Sequence, residues 1–265
     1  MTVRPVTPNG HTFLTPQDAT HFATPYTPRS GESNLRFFGS DTRGDMTPGP
    51  VAFLAHIDED IQVDAHFHNV DQFQLLFGGS DSYYQRHPMP KALLHYSDAY
   101  TVYGPFGARS QEPMEYFTLR GGPSNLHGTM PGARDKLVYR GRRHQSMTLD
   151  PFLEGEDGPG DGKVTVDTLF TDDTDGLGCY LVRLGPQAEF TPPDGELRTG
   201  RYTVVLKGDM HYDGRVFGPR SVGWSTGEAP QVTVQGGQNG AVVCFFYMPF
   251  PATPLVRLAE LRKPG

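Results

Sequence analysis

The sequence predicts an all-β chain built from two similar halves, and three observations carry that prediction. First, 32 Gly and 24 Pro among 265 residues cut the chain into short segments, the punctuation of strands and turns rather than helices. Second, runs of β-branched and aromatic residues recur between those turns, while no stretch shows the period of an amphipathic helix of ordinary length. Only Pro254 to Leu261 and the segment around Thr15 to Phe22 come near it. Third, the run Tyr202 to Tyr212 lies over Phe73 to Tyr83 without a gap, placing Tyr202 on Phe73, Val205 on Leu76, Gly208 on Gly79 and Tyr212 on Tyr83. Coincident apolar positions and a coincident turn glycine mark an internal repeat.

Taken in order, residues 1–48 are rich in Pro, Thr and Gly but carry Phe13, Phe22, Tyr26, Phe37 and Phe38. That is too aromatic for a solvated tail, so an extended arm packed along a sheet, its own or another subunit's, is expected. Val51 to Ile57 reads as a strand, Asp58 to Asp60 as an acidic turn, and Ile61 to His68 as a strand. Ser82 to Arg86, Ala92 to Tyr96, Ala99 to Tyr103 and Tyr116 to Arg120 read as further strands. Gly104-Pro105-Phe106-Gly107 is a turn by composition. Phe152 to Lys163, acidic and glycine-rich, has the character of a linker. Beyond it Val164 to Phe170, Cys179 to Leu184, Tyr202 to Tyr212, Gln231 to Val234 and Gly240 to Met248 supply the strands of the second half. The expected division is an arm over 1–48, a first barrel over 49–150 and a second over 151–265.

The formal charge of −7 argues against a nucleic-acid or anionic-membrane surface, which needs clustered Lys and Arg. Only Arg140-Gly141-Arg142-Arg143-His144 is locally basic, as a solvated loop or an anion-binding segment. Two cysteines, Cys179 and Cys244, make no disulfide framework and lie in apolar runs as buried thiols. No signal-peptide pattern opens the chain, and no apolar run approaches the ~20 residues of a membrane span. The expectation is a soluble cytoplasmic protein with a small-molecule partner. Phosphate loops, nucleophile elbows and Cys-x-x-Cys pairs are all missing.

Chemistry concentrates in Asp64-Ala65-His66-Phe67-His68-Asn69-Val70-Asp71-Gln72-Phe73-Gln74. In an extended strand His66 and His68 point the same way. A turn over Asn69 to Asp71 returns Gln72 and Gln74 on a neighbouring strand facing the same interior. The spacing His-x-His-x3-Gln-x6-Gly resembles the first motif of the cupin family, whose usual polar residue is Glu. With the internal repeat, the chain resembles a bicupin, two antiparallel jelly-roll β-barrels over about 50–250.

The resemblance implies a divalent transition metal held by His66, His68 and Gln72, with iron first and Zn, Ni, Mn or Cu as alternatives. The family's further His follows a Pro-x-Gly turn, but after Pro105-Phe106-Gly107 that position holds Ser110 or Gln111, and His95 is the nearest substitute. Gln for Glu removes a charge and favours an anionic co-ligand such as a substrate carboxylate. Gln74, Tyr84, Arg86 and Tyr103 are the expected substrate-binding residues. The alternative is a polar pocket with no ion, its His and Gln side chains bonded to Tyr hydroxyls. In the second half the corresponding positions are Gly195, Leu197 and Arg201, so that barrel is expected to be metal-free. The resemblance implies an oxygenase first, a non-redox isomerase or lyase second, and a catalytically silent binding protein third. A homodimer is expected because open sheet edges call for covering.

Overall fold

The computed structural model describes residues 9–22, 34–40, 45–58, 60–79, 81–109, 113–138, 143–154, 159–193 and 199–250. The segment Pro254 to Leu261, which comes nearest to a helical pattern, the cluster at Arg140 to Arg142, Ser110, Gln111, Gly195 and Leu197 lie outside these. Antiparallel strands dominate, and the one α-helix among the described residues is the single turn Asp150–Leu153. The described residues form two compact units, one from residues 20–150 and the other from 9–19 with 151–250.

The first unit holds a seven-stranded sheet in the order His144–Thr148, Ala92–Ser97, Gln72–Phe77, Met114–Arg120, Val51–Ile57, Asn34–Phe38, Thr20–Phe22. A four-stranded sheet runs Gln62–Val63, Phe106–Ala108, Ser82–Tyr84, His87–Pro88, and a ribbon pairs His66–His68 with His127–Thr129. Leu76, Leu93 and Tyr116 of the large sheet pack with Val63, Tyr84, Tyr103 and Phe106 as the apolar core.

Register partners on adjacent antiparallel strands share a face, so the register orders the inner surface into rows. The Leu93–Leu76–Tyr116 row is apolar, the next is Ser146–His95–Gln74–Thr118, and the one after is His144–Ser97–Gln72–Arg120. Apolar packing at one end thus gives way to buried polar groups at the other.

Several local readings change, and Ile61 to His68 is not one strand, since Gln62–Val63 and His66–His68 belong to different sheets. Ala99 to Tyr103 is a turn rather than a strand, because Asp71 Oδ1 accepts from the Ala99 amide at 2.9 Å. Thr101 N also donates back to Asp98 O, and Tyr100 takes a φ of 62°. Only Tyr103 keeps a bridge, to His66. The expected turn at Gly104 to Gly107 instead enters the Phe106–Ala108 strand, which pairs on both sides.

The second unit is one eight-stranded sheet with main order His11–Leu14, Val222–Thr226, Gly200–Tyr212, Val234–Tyr247, Leu177–Leu184, Val164–Asp172. The N-terminal His11–Leu14 segment is therefore its edge strand. Val182, Val205, Val243 and Phe245 anchor its core. Cys179 and Cys244 are buried free thiols. No described helix is long and apolar enough to cross a membrane.

Candidate metal centre

Three imidazoles converge in the first unit. His66 and His68 project from one face of their short strand, rings 5.2 Å apart and nearly perpendicular. Phe67 between them turns the other way and is fully buried. The partner strand brings His127 opposite His68 and Gly128 opposite Phe67. The His127 ring stacks on His66 at 4.5 Å and meets His68 edge-on at 5.0 Å. One nitrogen from each of the three lies within 4.8 Å of the others.

Backbone carbonyls fix how two of these rings are protonated. Nδ1 of His66 is 2.6 Å from the Asp64 carbonyl, and Nδ1 of His68 is 2.9 Å from that of Leu126. A carbonyl only accepts, so each Nδ1 carries the proton and each Nε2 keeps its lone pair. Burial, above all, lowers His66 to a pKa of about 3. His68 is likewise held well below the usual range, by burial first and then by the Arg120 charge. Both are neutral bases at neutral pH. Tyr103 donates its hydroxyl to His66 Nε2 at 2.7 Å.

The other expected residues are distributed around this group. Arg120, 8 % exposed, donates from Nε to Gln72 Oε1 at 3.0 Å. The Gln72 carbonyl oxygen thus faces a guanidinium, and its Nε2 has no hydrogen-bond partner among the described residues. Gln74, 1 % exposed, lies between His95 and Thr118 in register. His95 is fully buried with Nδ1 3.2 Å from Tyr84 OH and 3.1 Å from Ser146 Oγ. It is part of this second polar cluster and not of the three-His group. Burial and the neighbouring His144 hold His95 well below its ordinary pKa, and burial raises that of Tyr84. Arg86 is exposed and lines a pocket of about 470 Å³ with Asp60, Gln62, Tyr83 and Arg109. Tyr103 alone of the expected substrate residues touches a histidine of the three.

His127 and Arg120 complete the site and were not expected from the sequence. A third His was sought after the Pro-x-Gly turn, whereas His127 arrives on a strand of three residues in a stretch of mixed composition. The available signal was His127-Gly128 itself. A Cβ at Gly128 would stand 2.3 Å from the Phe67 ring, so glycine lets this strand lie against the His-x-His strand.

No protein-family model matches the sequence, and no curated protein matches it. Solved structures do match. A candidate dioxygenase from Nostoc punctiforme aligns with a TM-score of 0.63 at 10% identity, covering 92% of this chain and 85% of its own. The bacterial pirin YhhW of Escherichia coli, in complex with nickel(II), gives 0.59 at 10% identity over 90% of this chain and 99% of its own. Oxalate decarboxylase from Bacillus subtilis gives 0.54 at 11% identity over 89% and 75%. The fold is that of a bicupin. At such identities the likeness carries the fold alone, and the chemistry of this chain rests on its own side chains.

Those side chains suit a divalent transition ion. Three imidazoles form a borderline donor set, two are held neutral with Nδ1 anchored to a carbonyl, the usual outer support of a ligating histidine, and the third lies on the open side. The chain can hold such an ion with His66, His68 and His127.

Proposed function

We propose that this bicupin is a metal-dependent enzyme acting on a small carboxylated organic substrate, an oxygenase first among the possible reactions. The observation that carries this reading is the convergence of three imidazole nitrogens within 4.8 Å beside a buried guanidinium. In this reading His66, His68 and His127 hold the ion, and the ion supplies Lewis acidity and, if redox-active, electrons for oxygen chemistry.

Burial is the main cause of the lowered pKa of His66 and His68, and the Arg120 charge adds to it in both; that same charge favours an anion at the site. A substrate carboxylate would meet that field, with Gln72 holding the guanidinium in place. Tyr103, donating to His66 Nε2, would turn its hydroxyl toward the substrate once that nitrogen takes up the ion. His95, Tyr84 and Gln74 would form the polar wall, and buried aromatic residues such as Phe106 would keep water out. A redox-active ion held by three imidazoles would keep open positions suited to oxygen chemistry, which puts an oxygenase first among the activities to test. A non-redox isomerase or lyase is the second reading, favoured by the Tyr103–His66 contact, which is already a proton-donor and base pair.

The test is oxygen uptake by tag-free protein loaded anaerobically with Fe(II), then offered aromatic and aliphatic carboxylates. Uptake that depends on a carboxylate and disappears on chelation and in His68→Ala supports the oxygenase. Turnover that survives chelation points to the second reading. Metal-loaded protein that turns over no carboxylate overturns the proposal.

A further inference from the structure

The second unit buries a cation of its own. Arg201 is 6 % exposed on the inner face of the sheet. In register it lies between Ser225 and Tyr247, with His11 beyond Ser225. The neighbouring row on that face is Phe13, Gly223, Thr203 and Phe245. By the internal repeat Arg201 takes the position of Gln72, and a serine flanks each of them, Ser97 in the first unit and Ser225 in the second.

Its compensation is meagre. Nη1 donates to the neutral Tyr247 hydroxyl at 3.5 Å, the outer limit of a hydrogen bond, and that hydroxyl donates onward to Pro193 O at 2.8 Å. Nε has no acceptor among the described residues, and neither has the buried Thr203 Oγ1 on the same face. The guanidinium carbon lies 5.5 Å from the Tyr247 ring centre and 5.9 Å from that of Phe245. The ion pairs described in this unit join Arg183 to Asp167 and Arg215 to Asp18, and neither reaches Arg201. A buried charge without a counter-ion is among the most expensive arrangements a fold can hold. The Arg201 Nε–H and the Thr203 hydroxyl, on one face and each without a partner among the described residues, are groups that an anion would satisfy.

We propose that the second unit binds a small organic monocarboxylate on Arg201. One guanidinium neutralises one charge, and its Nε–H and Nη–H edge matches the two oxygens of a carboxylate. Phe13, Val205, Val243 and Phe245 of the apolar core lie on the same face, so the surroundings of Arg201 are apolar and disfavour phosphate or sulfate, whose remaining oxygens would lose water without replacement. The proposal is independent of any metal in the first unit.

Calorimetric titration of the full chain with benzoate and hexanoate, and separately with phosphate and sulfate, tests it. A carboxylate should bind, and Arg201→Met should weaken it by about tenfold or more, the usual effect of removing a charged hydrogen-bond partner. The titrations are run in an Arg120→Met background, which removes the carboxylate site proposed for the first unit, and Arg183→Met, at the ion pair with Asp167, should leave the remaining binding in place. Arg201→Lys, which keeps the charge but loses the planar edge, should fall between, and it decides the matter if Arg201→Met does not fold. Trp224, the chain's single tryptophan, packs on Tyr202 in this unit, so its emission checks the fold of each variant. In carboxylate-free buffer Arg201→Met should melt no lower than wild type, whereas a purely structural arginine would lower the melting temperature. Binding that survives both Arg201 variants, binding of phosphate or sulfate alone, or no carboxylate binding at all overturns the proposal.

Discussion

Gly128→Ala would disturb the metal centre without touching a ligand. The backbone of Gly128 is outside the left-handed region, so alanine meets no conformational obstacle there and the effect is steric. Its Cβ would stand 2.3 Å from Cε1 and Cζ of Phe67 and 2.8 Å from Cε2, against 3.4 Å for the near limit of ordinary contact. Something must move by about 1 Å. Phe67 is fully enclosed, so the ring has nowhere to go and the His127–Thr129 strand must lift. Overpacking of this size costs ~1–3 kcal/mol. Lifting that strand carries His127 away from His66 and His68, and losing the support of a metal ligand typically weakens binding ~10–100-fold. Gly122→Ala, where an added Cβ meets nothing within 4 Å, is the matched control and should change neither quantity. Competition with a chromogenic chelator reads the affinity, and a thermal melt reads the stability. A lowered melting temperature with unchanged metal affinity would refute the reasoning, because it would show that the ion does not depend on this strand.

Three further outcomes follow from the same geometry. Tyr103→Phe removes the donor on His66 Nε2, so metal-free protein should lose ~1 kcal/mol while metal affinity holds or rises; a fall in affinity would place Tyr103 among the ligands. His66 is neutral when folded, with a pKa of about 3 against an ordinary 6.5. Its neutral state is therefore without cost above pH 6.5, and stability falls as pH drops toward 3, by roughly 3 kcal/mol at about pH 4.5. Urea melts of chelated protein at the two pH values check this, and a stability that stays flat across that window contradicts it. Gln72→Glu sets a carboxylate against Arg120 Nε, so the melting temperature should hold and carboxylate affinity at the first site should fall by about tenfold or more; unchanged binding would free Arg120 from the role given to it.

Much of the architecture was legible because it is written in local pattern. Alternating apolar runs and glycine turns gave the strands, and the match of Tyr202 to Tyr212 with Phe73 to Tyr83 gave the two halves. The side-chain direction of His66 and His68 followed from the period of a strand. What pattern does not encode is which distant strand pairs with which. The His66–His68 strand pairs with His127–Thr129, about sixty residues on, rather than with the Gln72–Phe77 strand that follows it. Register across the large sheet likewise sets Arg120 beside Gln72, a contact no spacing rule yields. The Ala99 to Tyr103 segment misled because its composition is strand-like, while the decisive interaction, the Asp71 carboxylate on the Ala99 amide, comes from a distant residue.

The central claim is that His66, His68 and His127 together hold one divalent ion. Elemental analysis of tag-free protein, loaded in turn with Fe(II), Ni(II) and Zn(II) and then desalted, measures it directly in wild type and in His127→Ala. The account predicts one ion per chain in wild type and only a small remnant in the variant, with the fold of both intact by circular dichroism. Wild type that retains no ion, or a His127→Ala protein that retains as much as wild type, would contradict it.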